Sequence, residues 1–430
     1  MIKGLPTASK GTRHLYVHRR LSSAQKILVG QLAQNSSGIF FQYDDAYLSQ
    51  YHSLSPFTLP FNSDLNKAEK TPHQGLHGVF SDSLPDGWGM LIMDRVFRRQ
   101  GIPIHTVTPL DRLAYIGDRG TGALCYTPAM EHESAELMAD LALLGKEAAL
   151  VFEGQTDEVL AQLADAGGSG GARPKALIYL DPDNVELVST ASTANHTESW
   201  LVKFTSGQLP LGHEEGLCEA AWLTMAADCG IDVPEWRLFR LDDGQAWLAL
   251  KRFDCCHGAS GGRLHMHTLC GLLDADYRQP SMDYEDLIKV SQVLCKQAVV
   301  GQIHFIRAVF NLFAANQDDH TKNWSFLMSD DGQWSPAPFY DVTFSPSPYG
   351  EHSAAYGGYG KQPPLKTIQN LARLANFGSW KEVKLIIDQV CGVLSGWPAV
   401  AGVLGISAKT IKEIGKQLDV VYQENKQLLS

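Results

Sequence analysis

The chain has 430 residues, and its 36 lysines and arginines against 47 aspartates and glutamates give a formal net charge of −11 at pH 7. An apolar fraction of 44% and a charged fraction of 19% are ordinary for a globular protein and exclude a disordered or collagen-like chain. Because surfaces that clamp nucleic acid carry a basic excess, the acidic balance argues against direct DNA binding.

No segment of the sequence predicts a secretory signal or a membrane span. Residues 1–21 contain several lysines and arginines but lack the apolar stretch of a signal peptide. The most apolar run, residues 290–315, is interrupted by Lys296, His304 and Arg307, which is too polar for a span of about 20 apolar residues. We therefore expect a cytoplasmic protein without a membrane partner.

The eight cysteines are scattered without a C-x-x-C motif, which predicts reduced thiols. Cys255, Cys256 and His257 precede His265 and His267, and these residue types bind zinc. Two adjacent cysteines fit one tetrahedral site poorly, so we favour a hairpin without a metal.

The N-terminal part of the chain predicts a mixed β/α module. Residues 13–60 alternate short apolar runs with turn residues, which favours strands. The turn-dense segment 80–89 then opens a helix predicted over Met90 to Gln100, and a second turn follows at residues 118–120. We assign residues 1–130 to this module.

The middle of the chain predicts strands after a glycine-rich segment. A helical pattern over residues 134–165 runs into glycines at residues 167–171. The period-2 segments 176–180 and 200–204 then predict a pair of strands. We assign residues 131–250 to a strand-rich lobe.

The C-terminal part predicts a helical lobe over residues 251–430. A break at residues 316–350 is rich in Asp, Asn, Pro and Ser. Within it, Asp318 is followed five residues later by Asn323, with a basic residue directly before the asparagine. This is the spacing of the protein-kinase catalytic loop.

Phosphoryl transfer explains why these residue types occur together. A carboxylate at Asp318 can accept the proton of a substrate hydroxyl, and the amide oxygen of Asn323 can hold Mg²⁺. Asp341, beyond a short predicted hairpin, supplies a second metal-binding carboxylate. The alternative interpretation is a solvated helix-capping loop rich in Asp and Asn.

A kinase also needs a strand lysine that is paired with a helix glutamate. Lys203 ends an apolar strand, and burying it unpaired would be costly. Glu219 is its predicted partner, because the apolar residues three, four and seven positions later mark an inward helix face. The alternative is an edge-strand lysine in solvent.

The glycine segment permits three interpretations. Its backbone N–H groups could cover phosphates as a flexible loop, and we favour this reading. It also fits G-x-S-x-G around Ser169, but a hydrolase elbow needs a strand before and a helix after, and here the order is reversed. A plain flexible linker is the third interpretation.

Several motifs together resemble one family. They are Leu84-Pro85-Asp86-Gly87-Trp88-Gly89, residues 116–124, Gly170-Gly171-Ala172-Arg173-Pro174-Lys175, Trp200-Leu201-Val202-Lys203-Phe204, Arg252-Phe253-Asp254, residues 316–323 and Phe339-Tyr340-Asp341. In this order they are similar to the HipA-family serine/threonine kinases, the toxin half of bacterial HipA/HipB-type toxin–antitoxin pairs. The resemblance implies an α+β fold, with a kinase core of strand-rich small lobe and helical large lobe joined to the N-terminal module.

The resemblance also implies roles for individual residues. Lys203 and Glu219 correspond to the ATP lysine and its helix partner, Asp318 to the catalytic base, and Asn323 and Asp341 to the Mg²⁺ ligands. Further nucleotide contacts are expected from Gly170, Gly171, Ala172, Arg173, Lys175, Lys203, His320 and Lys322.

Two positions depart from the family pattern. The family often has a serine two places before the double glycine, a site of inhibitory autophosphorylation; here that place is Gly168, and Ser169 lies one residue later. Ser169 is therefore a candidate for autophosphorylation with a shifted position. Many members read Arg-Phe-Asp-Arg, whereas Cys255 follows Asp254 here, which calls into question an ion pair expected there.

From these features we predict an ATP- and Mg²⁺-dependent kinase that phosphorylates protein Ser/Thr hydroxyls and restrains growth unless an antitoxin neutralises it. The family implies a translation-linked target such as an aminoacyl-tRNA synthetase, a HipB-like helix-turn-helix antitoxin, and contact with DNA only through that antitoxin. The alternative is a catalytically silent module that bridges an antitoxin to operator DNA, and a serine hydrolase using Ser169 is a third hypothesis.

Overall fold

A computed structural model describes residues 11–130, 138–159, 161–166, 171–181, 184–190, 198–241, 244–256, 261–280 and 282–429. Ser169 and Gly170 of the glycine segment, and His257 of the cysteine–histidine cluster, lie outside these described residues. The first described part of the chain forms an antiparallel sheet with helices around it.

Its strands are β1 (His14–Arg20), β2 (Lys26–Asn35), β3 (Gly38–Tyr43), β4 (Asn66–Lys67) and β5 (Leu124–Thr127). They follow the order β4-β3-β2-β1-β5, and each neighbouring pair is antiparallel. The helices are α1 (Asp45–Gln50), α2 (Gly78–Ser81), α3 (Gly87–Arg99) and α4 (Pro109–Ile116). Helix α3 begins three residues earlier than the sequence predicts, directly after Asp86.

A six-stranded sheet forms the strand-rich lobe. Its strands are β6 (Met138–Ala139), β7 (Lys175–Asp181), β8 (Asn184–Ser189), β9 (Glu198–Lys203), β10 (Trp236–Arg240) and β11 (Ala246–Lys251), in the order β10-β11-β9-β7-β8-β6. Strands β7 and β9 pair antiparallel, with Lys175 opposite Lys203, which confirms the predicted strand pair.

Three helices accompany this sheet: α5 (Leu141–Phe152), α6 (Ala161–Asp165) and α7 (Glu215–Asp228). The single helical stretch predicted over residues 134–165 is therefore divided, and Gly154 in the left-handed region (φ +71°) follows the end of α5. Trp88 and Ile92 of α3 are buried in the same apolar cluster as residues of β7, β9 and β11. The N-terminal module is thus packed into the lobe that carries Lys203.

The remaining chain forms the helical lobe. Its short strands are β12 (His265–Thr268), β13 (Met282–Asp283), β14 (Ser325–Met328), β15 (Trp334–Pro336) and β16 (Ala354–Ala355). Its helices are α8 (Leu269–Leu272), α9 (Tyr284–Cys295), α10 (Val299–Phe313), α11 (Leu365–Leu374), α12 (Trp380–Ser395), α13 (Trp397–Leu404) and α14 (Ala408–Asn425). Strand β14 pairs antiparallel with both β12 and β15, so the segment after residue 323 returns against the body of the lobe.

Two histidines of the cysteine–histidine cluster, His265 and His267, bond to protein groups. His265 contacts the carbonyl of Leu54 at 2.9 Å, and His267 contacts the carboxylate of Asp82 at 2.6 Å. Within the described ranges, no group of three or more His, Cys, Asp or Glu residues is arranged to hold a metal ion. Over the same ranges no single helix has the length and apolarity to cross a membrane, although the bent pair α12–α13 passes that test by length and composition.

Helix α7 joins the two lobes and positions Glu219. It is apolar on nearly all sides, as expected for a helix that is covered all round. Its Trp222 is fully buried, donates its indole N–H to the carbonyl of Ala314 at 3.1 Å, and packs edge-on against Trp397. The orientation of the glutamate therefore depends on contacts with the helical lobe.

We predict that Trp222→Ala lowers the free energy of unfolding by about 3–5 kcal/mol, because it removes a buried aromatic side chain and leaves a cavity. Urea denaturation followed by far-ultraviolet circular dichroism measures this change. Val403→Ala on α13 is the control, since Val403 is 86% exposed and its truncation should change stability by less than about 0.5 kcal/mol. Equal stabilities of the two variants would contradict the joining role of Trp222.

Candidate active site

A cavity of about 360 Å³ lies between the strand-rich lobe and the helical lobe. The predicted site residues that line it are Gly171, Ala172, Arg173, Lys175, Lys203, Asp318, His320, Lys322, Asn323 and Asp341. Glu219 does not line the cavity itself but contacts Lys203, which does. The fold thus collects residues that are up to 170 positions apart in the sequence around one space.

Lys203 is the centre of a buried ionic cluster. Its ammonium lies 2.6 and 2.8 Å from the two carboxylate oxygens of Glu219 and 2.7 Å from Oδ1 of Asp341. Strand β9 has β7 on one side and β11 on the other, so Lys203 is not an edge-strand lysine in solvent. The cluster connects the sheet, helix α7 and the helical lobe through a single side chain.

The charges in this cluster stabilise one another. Burial alone would lower the pKa of Lys203, but the negative charges of Asp341 and Glu219 outweigh this effect and raise it. Lys203 holds the pKa of Asp341 far below its usual range. Burial raises the pKa of Glu219, although Lys203 opposes that shift. Asp341 is therefore the firmly ionised carboxylate that faces the cavity.

Local backbone geometry sets the direction of Asp341. The residue has a φ of +55°, in the left-handed region that only a few non-glycine residue types tolerate. The preceding Tyr340 is fixed by its hydroxyl, which donates to the carbonyl of Lys322 at 2.7 Å and lies 2.6 Å from the hydroxyl of Ser325. The turn before Asp341 is thereby attached to the predicted catalytic loop.

Two further cations lie beside Lys203. Lys175 is its direct neighbour on β7, and burial, together with the charge of Lys203, lowers the pKa of Lys175 to about 8. Arg173 forms an ion pair with Glu215 at 2.5 Å. Three cations around one end of a cavity favour an anion, and a polyphosphate would satisfy them together.

Asp318 lies at the rim of the cavity, with 66% of its side chain exposed. Its backbone N–H donates to the hydroxyl of Ser345 at 3.3 Å, and the amide of Asn323 donates to its carbonyl at 2.7 Å. Partial desolvation raises the pKa of Asp318; His320, 3.7 Å away, opposes the shift and Asp341 adds to it. This environment strengthens a carboxylate as a base while leaving it accessible.

The neighbouring Asp319 has the opposite environment. It is 2% exposed and accepts hydrogen bonds from the hydroxyl of Tyr284 at 2.5 Å and from the N–H of Ala354 at 3.0 Å, with His352 2.9 Å away. A loop anchored in this way is not the solvated helix cap that the sequence left open as an alternative. Asp319 holds the loop, and Asp318 is presented to the cavity.

Sequence reasoning missed Asp86 as a site residue. Its carboxylate accepts from the ammonium of Lys322 at 2.8 Å and from the backbone N–H of Gly171. Although burial opposes it, Lys322 and the N–H of Gly171 lower the pKa of Asp86. Lys322, which the sequence assigned to nucleotide contact, is thus already ion-paired. The Leu-Pro-Asp-Gly-Trp-Gly motif was visible, but no local pattern indicated what it touches.

The apolar part of the cavity was also missed. Leu177, Leu201 and Leu250 line it from the three central strands. Leu177 and Leu201 lie directly opposite each other and two residues from Lys175 and Lys203, on the same face of the sheet. The period-2 pattern of the two strands could therefore have predicted these two leucines as cavity residues, once Lys175 and Lys203 were assigned to the site.

The Arg252-Phe253-Asp254 motif keeps an ion pair despite Cys255. The guanidinium of Arg252 lies 2.5 and 3.0 Å from the two oxygens of Asp254, and both side chains are buried. Asp254 also accepts from the N–H of Gly122 at 2.6 Å. The motif thus connects the N-terminal module to the segment between the lobes, and its internal ion pair does not need an arginine at position 255.

Comparisons with known proteins agree with this architecture. The model of the HipA N-terminal domain matches residues 23–127, and the model of the HipA-like C-terminal domain matches residues 167–397. Two relatives come from Sinorhizobium fredii (strain NBRC 101917 / NGR234). "Putative kinase Y4dM" is 33% identical over 44% of this chain and 48% of its own length, and "Putative kinase Y4mE" is 26% identical over 73% and 74%. The chain thus spans about half the length of the first relative that it matches.

A solved structure shows the same fold. A chain of the Shewanella oneidensis MR-1 toxin–antitoxin complex of HipA, HipB and operator DNA superimposes with a TM-score of 0.71. The superposition covers 96% of this chain and 98% of that one at 16% sequence identity, which establishes a likeness of fold alone. The predicted α+β, kinase-like fold with an N-terminal module is confirmed.

We predict that Lys203→Met lowers the free energy of unfolding at pH 7 by about 3–5 kcal/mol, because it leaves Glu219 buried without a cation. Adding Glu219→Gln should restore part of the loss. The difference from wild type should shrink as the pH falls towards 5, since an unpaired, buried Glu219 has a raised pKa and takes up a proton in the folded state. Chemical denaturation of the three proteins at both pH values measures this. A double variant less stable than Lys203→Met would contradict the pairing.

Proposed function

The chain belongs to the HipA family, and from that premise we propose that it is an ATP- and Mg²⁺-dependent kinase that phosphorylates protein serine or threonine hydroxyls. The observation that carries the proposal is the Lys203–Glu219–Asp341 cluster beside Asp318 and Asn323 at one cavity. A protein that only binds partners has no chemical need for this set of charges. The names of the two relatives support kinase chemistry in general terms.

The chemistry of the cavity is suited to ATP. Leu177, Leu201 and Leu250 offer an apolar surface for a base, and Arg173, Lys175 and Lys203 offer positive charge for phosphates. An apolar lining with a few placed polar or charged groups is the usual composition of a small-molecule pocket. We propose that the base lies against the leucines and the phosphates lie at the cations.

The donor set also fits Mg²⁺. This ion binds through one or two carboxylates and keeps waters and substrate phosphates as its other ligands. Asp341 supplies an ionised carboxylate. The Nδ2 of Asn323 donates to the carbonyl of Asp318, which leaves the amide oxygen as the atom that can bind a cation. We propose these two residues as the protein ligands; bound Mg²⁺ would neutralise charge on the phosphates.

Asp318 is proposed as the base. The hydroxyl oxygen of the substrate forms a bond to the γ-phosphorus, the bond from that phosphorus to the bridging oxygen of ADP breaks, and the hydroxyl proton passes to Asp318. Lys203 stabilises negative charge on the phosphates, and Glu219 holds Lys203 in place. Positioning and fixed charges supply most of the rate enhancement in such transfers.

The targets and partners are proposals that rest on the family. We propose a translation-linked protein, such as an aminoacyl-tRNA synthetase, as the substrate, with growth inhibition as the consequence. A HipB-like helix-turn-helix protein would neutralise the kinase and supply the contact with DNA, because this chain has a net charge of −11. The solved HipA–HipB–operator complex supports this arrangement by analogy. We also propose Ser169 as the position of an inhibitory phosphate.

We predict that Asp318→Asn reduces phosphoryl transfer by about 10²–10⁴-fold, since general-base contributions are of this size, and leaves ATP affinity nearly unchanged. The purified protein is incubated with labelled ATP, Mg²⁺ and a lysate of its host, phosphoserine and phosphothreonine are identified by mass spectrometry, and ATP binding is measured by calorimetry. Asp331→Asn is the control, because Asp331 is an exposed carboxylate on the turn between β14 and β15. Transfer by Asp318→Asn at the wild-type rate would exclude Asp318 as the base.

We also predict that ATP affinity falls roughly five- to tenfold between pH 7.5 and pH 9. The pKa of Lys175 is lowered to about 8, so this lysine is a cation below that pH and loses its attraction for phosphates above it. Lys175→Arg stays charged and should flatten the profile, and Lys175→Met should bind weakly at every pH. Calorimetric titrations at four pH values test this. A slope unchanged in Lys175→Arg would assign the titration to another group.

A further inference from the structure

Asp86 connects two loops that are far apart in the sequence. It is 85 positions from Gly171 and 236 positions from Lys322 in the sequence. Its Oδ1 accepts from the N–H of Gly171, and its Oδ2 accepts from the ammonium of Lys322. Gly171 belongs to the glycine segment, and Lys322 directly precedes Asn323 of the loop that carries Asp318. A single side chain of the N-terminal module therefore touches both walls of the candidate active site.

The neighbours of Asp86 fix the same region. The backbone N–H of Trp88 donates to the carbonyl of Gly171 at 3.0 Å, so the N-terminal module binds both the N–H and the carbonyl of Gly171. The indole N–H of Trp88 donates to the carbonyl of Lys175 at 2.8 Å. Gly87 has a φ of +37°, and a Cβ there would come within 2.5 Å of Cα of Ala172. Only a glycine permits this close approach.

Lys322 is held at both of its ends. Its ammonium pairs with Asp86 and lies 4.4 Å from the centre of the Tyr277 ring, and its carbonyl accepts from the hydroxyl of Tyr340. Asn323 directly follows Lys322, and Asp341 directly follows Tyr340, whose hydroxyl bonds to Lys322; Asn323 and Asp341 are the two proposed Mg²⁺ ligands. A shift of Lys322 would therefore displace the backbone from which both ligands extend.

We infer that Asp86 is a positioning residue that sets the distance between the glycine segment and the Asp318 loop, and so keeps the phosphate-binding cations in register with the base. The kinetic part of this inference rests on the proposed kinase function. Because the N–H of Gly171 is used by Asp86, Gly171 is a fixed end of the loop, and the phosphate contacts fall to Arg173, Lys175 and Lys203. Asp86 also lines the cavity, and in this inference it acts through Gly171 and Lys322.

The first test needs no nucleotide. Hydrogen–deuterium exchange of the full-length protein should be at least about threefold faster in peptides covering residues 171–176 and 318–324 in Asp86→Ala, because both loops lose an anchor. Asp86→Asn keeps an acceptor for Gly171 but loses the ion pair, so its effect should concentrate in 318–324. Asp94→Ala is the matched control: Asp94 lies on α3, pairs with Arg112 at 2.7 Å, and does not line the cavity.

The second test separates positioning from general stability. Asp86→Ala and Lys322→Met should each raise the KM for ATP by about tenfold, and the double variant should be no worse than the more damaged single variant, since both remove one shared interaction. A merely structural loss would reduce the fraction of active protein, which lowers kcat and leaves KM unchanged. Asp94→Ala should keep the wild-type KM.

The outcomes distinguish this inference from the proposed function. Unchanged exchange in both peptides, or exchange that rises in only one of them in Asp86→Ala, would overturn the inference whatever the activity of the protein. Additive effects on KM would overturn it as well. A wild-type protein that neither binds ATP nor transfers phosphate would defeat the proposed function, while coupled exchange in the two peptides would still support the link through Asp86.

Discussion

A buried ammonium needs partners, and this requirement at Lys203 organises the molecule. An uncompensated charge at that depth would cost several kcal/mol, so the fold must bring carboxylates to it. One comes from Glu219 on α7 and the other from Asp341 in the helical lobe. Trp222 of the same helix bonds to the carbonyl of Ala314, directly after α10, and packs against Trp397 of α13, and these contacts hold α7 in place. The charge balance around Lys203 in the small lobe therefore depends on how the large lobe packs against α7.

The same charge balance bears on the proposed binding of an anion by this acidic chain. The net charge of −11 belongs to the whole chain, whereas Arg173, Lys175 and Lys203 all line one cavity. Glu215 pairs with Arg173 and Glu219 pairs with Lys203, and these carboxylates hold the two cations in place. Burial and the charge of neighbouring Lys203 disfavour the protonated form of Lys175 and lower its pKa to about 8. Cations that are preorganised in this way would bind the proposed phosphates without a prior rearrangement of side chains.

Local patterns were sufficient for the features that short spacings define. The apolar alternation predicted that β7 and β9 pair, and the inward face of α7 selected Glu219 for Lys203. What no local pattern could supply were the contacts between distant segments. Asp318 and Asp319 are identical neighbours, yet one is exposed and the other is buried against Tyr284 and His352; only the tertiary surroundings distinguish them. The domain boundaries, and the roles of Ser169 and Gly170 outside the described residues, stay predictions.

The loop of Asp318 is held at two points, one in the helical lobe and one in the N-terminal module. Within the helical lobe, Asp319 accepts a hydrogen bond from the hydroxyl of Tyr284. Asn316 donates to Asn311, which in turn donates to the same hydroxyl. At the other point, Lys322 forms an ion pair with Asp86 of the N-terminal module. A segment fixed at two points by charged or buried groups loses little freedom when a substrate binds, so less of the binding energy would be needed to orient the proposed base. The contacts of Asp319 lie within the helical lobe, whereas the contact of Lys322 is made with a separate module. A partner that shifts that module would therefore change the Asp318 loop without entering the cavity.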